Sequence, residues 1–177
     1  ITCHLGNGCS IAAVNKGNVL DTSMGLTPLM GLVMGTRCGD IDPGAVIYLL
    51  KKGMTVDEVD SLLNKKSGLL GVAEIGSSDM RDILDAAADG NEKAEAALNM
   101  FIHRLVFYIG GYYNLLRGAD AVVFTGGIGE NSAPIRQRII SRLGSLGCSL
   151  DKAENQVMGK PAIVSTPEST LQAVVMP

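Results

Sequence analysis

Val122-Val123-Phe124-Thr125-Gly126-Gly127-Ile128-Gly129-Glu130-Asn131 is the stretch on which the reading of this chain turns. An apolar, β-prone run ends at three glycines within four positions, and Ser132-Ala133-Pro134-Ile135-Arg136 then opens a helical pattern. A strand, a glycine turn and a helix start are therefore expected. At such a junction the missing Cβ atoms let a ligand approach the backbone, and N–H groups without helical partners face it, which suits phosphate or a nucleotide. The stretch is not a P-loop, because no Gly-Lys-Ser/Thr follows. It also departs from the dinucleotide fingerprint, whose third glycine would stand at Ser132. The alternative is a tight strand-to-helix loop that binds nothing.

Around this stretch lie 177 residues, 46% of them apolar, which is enough to bury a core, and one compact domain is the starting expectation. Formal net charge is −3 with Lys and Arg scattered, so there is no electrostatic footprint for nucleic acid or an anionic membrane. A small-molecule ligand is expected instead. Cys3, Cys9, Cys38 and Cys148 stand far apart, and His4 and His103 are the only histidines, so neither a zinc site nor a disulfide framework is indicated. Reduced thiols fit a cytoplasmic protein. No run approaches the roughly 20 apolar residues that span a bilayer, and no signal peptide is evident. The chain opens on Ile1-Thr2-Cys3-His4 and closes on Leu171 to Pro177, both strand-like, which reads as a piece of a longer protein.

Upstream, Ile1–Leu5 and Cys9–Val14 are β-prone runs separated by Gly6-Asn7-Gly8, and a turn at Lys16-Gly17-Asn18 leads to a third run, Val19–Thr22. An antiparallel meander is expected. Met24 to Pro43 is a long loop punctuated by Gly and Pro; its Leu26, Leu29, Leu32, Val33 and Met34 argue against disorder, which leaves function as the reason for its length. Helices are expected at Gly44–Lys51, from the capping box Thr55-Val56-Asp57-Glu58 to about Leu63, from an N-cap among Ser77 to Asp79, and from Asn91 to about Leu116. Ser67 to Gly71 breaks the pattern. Gly110-Gly111 implies a kink or a close helix contact in the last helix, whose long apolar stripe is also a candidate dimer contact. After the organising stretch come a helix over Ser132–Leu146 and strands at Ala162–Ser165 and Thr170–Met176. This order describes a three-layer α/β domain with a mixed sheet. It matches the half-domain of the actin-like ATPase and sugar kinase superfamily, which is ribonuclease H-like.

Several constellations carry chemistry, each beside a plainer reading. His4-Leu5-Gly6-Asn7-Gly8 at a hairpin tip could hold phosphate oxygens, or be an ordinary Asn-Gly turn. Arg37, among Gly35, Gly39, Asp40 and Asp42, has the planar fork that suits a phosphoryl group in transfer; the alternative is an Arg37–Asp40 or Arg37–Asp42 ion pair. Asp79-Met80-Arg81 could offer a carboxylate to ribose and a guanidinium plane to a base, or simply cap a helix. His103 reads as a helix-face residue, and the Tyr112-Tyr113 pair as packing or a subunit contact. The three motifs and the glycine turn are expected to line one cleft.

These motifs, with Asp21-Thr22-Ser23-Met24-Gly25-Leu26-Thr27-Pro28-Leu29, Gly31 to Arg37, Gly39-Asp40-Ile41-Asp42-Pro43, Ser67 to Gly71 and Ser77 to Arg81, closely resemble the acetate/propionate kinase family in order and spacing across essentially the whole chain. The resemblance implies that residues 1–177 are the C-terminal nucleotide-binding domain of an acetate kinase, in a cytoplasmic homodimer making acetyl phosphate from ATP and acetate with Mg²⁺. Propionate or butyrate kinase is the alternative within the family, and a non-catalytic nucleotide module is the alternative for the piece alone. By the same resemblance ATP or ADP contacts fall on His4, Leu5, Gly6, Asn7, Gly8, on Asp79, Met80, Arg81, and on Gly127, Ile128, Gly129, Glu130 and Asn131, while Arg37 stabilises the transition state. By the resemblance the family's carboxylate-binding arginine, its catalytic aspartate and a histidine that also acts at the transition state would precede Ile1, and its metal-binding glutamate would follow Pro177, so no metal ligand is expected here. Met30 and Cys38 depart from the family's usual Glu and Ser beside Arg37.

Overall fold

The computed structural model describes residues 1–177, which divide into two compact units. The first comprises Ile1–Ser23 and Ile102–Pro177. Its strands β1 (Thr2–Leu5), β2 (Cys9–Asn15), β3 (Asn18–Thr22), β4 (Ala121–Thr125), β5 (Ala162–Ile163) and β6 (Gln172–Val175) form one sheet in the order β3-β2-β1-β4-β6-β5. β1, β2 and β3 are the expected antiparallel meander, whereas β1, β4 and β6 run parallel, so the sheet is mixed. Alternation along the strands sends Cys3, Leu5, Ile11, Val122, Phe124, Ala173 and Val175 into the core. There burial pushes the Cys3 thiol up to about 12. Strand β3 is exposed throughout, as a sheet edge can be.

Two helices follow β4 directly: α6 (Gly126–Asn131) and α7 (Ala133–Ile140). The three glycines are not a turn before a helix but the first turns of a short helix themselves. The helix expected to Leu146 ends at Ile140, and a 3-10 turn, Gly144–Leu146, follows it. The long helix α5 (Glu92–Leu115) runs unbroken through Gly110-Gly111, and a Cβ at either glycine would meet open space, so there is no close contact for them to serve. Its apolar stripe is buried at Ala94, Ala97, Leu98, Phe101, Ile102, Leu105, Ile109 and Tyr112.

The second unit is Met24–Phe101. It holds α1 (Pro43–Lys51), α2 (Val56–Lys65), α3 (Gly68–Ala73), α4 (Met80–Ala88) and the first turns of α5. The long loop is ordered by burial of Leu32, Val33 and Met34. The capping box opens α2 as expected: Thr55 N–H donates to Glu58 Oε2 at 2.8 Å and Glu58 N–H to Thr55 Oγ1 at 3.2 Å, and the Thr55 N–H and hydroxyl, both donating to Glu58 Oε2, hold the Glu58 carboxyl below its ordinary range. The expected break at Ser67–Gly71 is instead α3. Its start carries no side-chain cap; Leu69 and Leu70 N–H donate to the carbonyls of Met34 and Gly35 in the loop, both at 2.9 Å. A helix capped by remote backbone leaves no local sequence signal.

Candidate functional site

Because β1 and β4 are parallel neighbours in register, with His4 opposite Thr125, their C-terminal ends lie side by side. The hairpin tip Gly6-Asn7-Gly8 and helix α6 are therefore brought together at one end of the sheet, where ligands of parallel sheets commonly bind. Asn7 and His4 are exposed there and Leu5 is buried beneath. At the tip, Gly6 N–H donates to Gly8 O at 3.1 Å and the Cys9 thiol to Gly6 O at 3.1 Å.

The glycines of α6 differ in what requires them. Gly126 has φ +78°, and a Cβ on it would lie 2.8 Å from Leu5 O and 3.1 Å from His4 Cε1, so packing against β1 demands glycine. A Cβ on Gly129 would press Phe124, 3.3 Å from its carbonyl carbon. Gly127 faces open space, and no packing contact explains it. Of the N–H groups that a helix start leaves without helical partners, that of Gly126 donates to Glu130 Oε1 at 2.7 Å. Asn131 Nδ2 donates to Gly127 O at 3.0 Å.

Sequence reasoning passed over Arg136, which α7 carries into the first unit with no exposed surface. Its Nε donates to Asn155 Oδ1 (2.9 Å), Nη1 to Gly129 O and Glu130 O (both 2.9 Å), and Nη2 to Asn155 O (2.7 Å) and Val157 O (2.8 Å). Burial pushes its pKa down, though from so high a value that it stays a cation. The available signal was a cation at helical spacing among Ile135, Ile139 and Ile140, all buried.

In the second unit neither ion pair foreseen for Arg37 forms. Asp40 Oδ1 accepts from Gly31 N–H at 2.9 Å, and Asp42 accepts from Gly44 N–H at 2.8 Å as the N-cap of α1. No carboxylate pairs with the Arg37 guanidinium, whose Nη1 donates to Pro28 O at 3.3 Å and approaches Met34 Sδ at 3.5 Å. The two departures beside it are accommodated. Met30 is about half exposed and lies against Gly25, and Cys38 turns its thiol to its neighbour's Gly39 O at 3.1 Å, with its pKa raised by burial.

Asp79 is the N-cap of α4, accepting from Arg81 N–H at 2.9 Å. Arg81 also grips it through Nε at 3.0 Å and Nη2 at 2.6 Å, which lowers the Asp79 carboxyl to about 2 and raises Arg81. Met80 is buried. An apolar cavity of about 200 Å³ between α1 and α2, lined by Leu29, Val46, Leu50, Val56, Val59 and Leu63, includes none of these groups.

A model described as the acetokinase family matches residues 1–177. The chain belongs to the acetokinase family. It is 56% identical over 178 aligned residues to an acetate kinase of Clostridium novyi, and 53% identical to one of Methanosarcina thermophila. Those alignments take in all of this chain and 44% and 43% of the relatives, so the chain spans less than half the length of the curated relatives it matches. Two solved members are similar in structure. The Porphyromonas gingivalis acetate kinase has TM-score 0.95 at 43% identity, and a Francisella tularensis propionate kinase has TM-score 0.91 at 44% identity; 99% of this chain aligns with 44% and 45% of theirs. The family fold is the actin-like ATPase fold, in agreement with the mixed sheet. No three His, Cys, Asp or Glu side chains gather to cage a cation. No helix is long and apolar enough to cross a membrane.

Proposed function

We propose that this chain is the nucleotide-binding part of a phosphotransferase that moves the γ-phosphoryl group of ATP to acetate, giving ADP and acetyl phosphate. The observation that carries the proposal is the junction of the hairpin tip with α6, where Gly127 is a glycine that packing does not require. In this reading His4 to Gly8 and Gly127 to Asn131 receive the nucleotide through backbone and amide groups, and Asp79, Met80 and Arg81 contact its nucleoside end. In the transfer an acetate oxygen forms a bond to the γ-phosphorus as the bond to the β–γ bridging oxygen breaks. Charge then spreads over the equatorial oxygens, and Arg37, which no carboxylate of the chain neutralises, serves to stabilise it. Mg²⁺ would accompany the phosphates on ligands outside these residues, and the enzyme would act as a cytoplasmic homodimer.

Similarity to a propionate kinase favours a second reading within the family, phosphorylation of a longer carboxylate. The test uses the full-length protein: hydroxylamine trapping of acyl phosphate with acetate, propionate and butyrate, beside calorimetric titration with ATP and ADP. Binding with trapped acetyl phosphate is expected, and preferred turnover of propionate would select the second reading. Binding without turnover would reduce the chain to a nucleotide-binding module, and the absence of both would end the proposal.

A further inference from the structure

An arginine with no exposed surface and no counter-ion is costly to bury, and Arg136 meets that cost with hydrogen bonds alone. Its five donors each find an oxygen, so its fork is completely used. Two of those oxygens, Gly129 O and Glu130 O, belong to the last turn of α6, where helical carbonyls lack partners and a cation is favoured. The other three belong to Asn155 and Val157, in and beside a 3-10 turn, Glu154–Gln156.

That turn is itself fixed. Asp151 Oδ1 accepts from Ala153 and Glu154 N–H at 2.9 and 3.1 Å, and Asn155 Nδ2 donates back to Ala133 O, the first residue of α7, at 3.0 Å. A helix of six residues cannot hold its own pose, because nucleation is unfavourable and few internal bonds repay it. The pose of α6 is set by its two ends, Gly126 packed on β1 and the Gly129–Glu130 carbonyls on Arg136.

We infer that Arg136 is a positioning residue for nucleotide binding, which through its fork to Gly129, Glu130, Asn155 and Val157 fixes residues 127–131 where the nucleotide needs them. The inference rests on the function proposed above. A lysine would keep the charge but offer no planar fork, so α6 would lose its fixed pose while the rest of the fold kept a cation at the same place. The consequence is specific to one substrate.

The test is steady-state kinetics and thermal melting of the full-length enzyme, wild type against Arg136→Lys and Asn155→Ala. In Arg136→Lys the KM for ATP is expected to rise roughly 10- to 100-fold, as displacements near 1 Å can cost, with the KM for acetate and kcat at saturating ATP held within about twofold. Asn155→Ala, which removes one acceptor and one tie to α7, is expected to show the same split at about threefold. An unchanged ATP KM in folded Arg136→Lys, or losses shared equally by ATP and acetate, would overturn the inference. Should Arg136→Lys fail to fold, Asn155→Ala decides by the same criterion. A wild type that forms acetyl phosphate while both variants match it defeats the role of Arg136 alone; a wild type that neither binds ADP nor turns over defeats the underlying function and this role with it.

Discussion

The two units present their candidate groups in different ways. At the hairpin tip and α6 the groups are main-chain amides, held by the register of β1 against β4, by Gly126 pressed on Leu5 O, and by the Arg136 fork. Around Arg37 and Asp79–Arg81 they are long side chains: Arg37 rests on one 3.3 Å bond to a carbonyl, and the Arg81 side chain is 86% exposed, tied to its neighbour Asp79. The first arrangement is preorganised, and a ligand meets it without side-chain ordering. The second leaves a cation able to move to charge that develops during a reaction. Under the proposed function the contrast is a division of labour: main chain for the phosphates of the bound nucleotide, side chains for its nucleoside end and for the phosphoryl group that moves.

The contrast is broken most severely at Arg37. Arg37→Ala in the full-length enzyme is expected to lower kcat by about 10³-fold or more with the KM for ATP little changed, as for arginines in other phosphoryl transfers. Turnover near that of the wild type would remove Arg37 from the reaction. Next in size is Gly126→Ala. With φ +78° and the new Cβ 2.8 Å from Leu5 O, it is expected to lower stability. A cost of about 2–4 kcal/mol, read by denaturant melting, follows from left-handed strain plus the clash. A neutral result would mean that α6 is not fixed on β1.

One residue on, Gly127→Ala is expected to act in the opposite sense on the fold, gaining up to about 0.5–1 kcal/mol through alanine's helix propensity. Its ADP affinity is nevertheless expected to fall by about tenfold, since the methyl group enters space left open for a ligand. Undiminished ADP binding would return Gly127 to the plain reading of a loop that holds nothing. The smallest effect concerns Asp79. Its folded pKa of about 2 lies below the ordinary 3.8, so the stability it lends is complete above the ordinary value and is lost as pH falls toward 2. Asp79→Asn is expected to flatten the decline in melting temperature between those pH values. An unchanged acid profile would show that the Arg81 pairing is not maintained in solution.

Much of the first unit was legible because its signals are local. Period-two alternation in Thr2–Leu5 and Cys9–Asn15, the turns between the strands, and the apolar run into Phe124 and Thr125 each dictate an element without outside help. The capping box at Thr55 and the N-cap at Asp79 were readable for the same reason. What escaped depended on distant partners. Helix α3 starts on carbonyls of Met34 and Gly35, more than thirty residues upstream, and Gly68, with φ +62° and a Cβ position 2.2 Å from Met34 O, looks in isolation like a helix breaker. Arg136 reads as a surface cation until Asn155 and Val157 fold over it. The helix propensity of the three glycines is so poor that only the tertiary frame of β1 and Arg136 makes them helical.

Under the proposed function the hairpin tip and the start of α6 together seat the nucleotide. Titrating ADP into the ¹⁵N-labelled 177-residue chain and following each backbone amide by NMR tests it most directly. The largest shifts are expected at Asn7, Gly8, Gly127 and Ile128, saturating together with one affinity. Saturable binding that leaves those four amides unmoved would contradict the account.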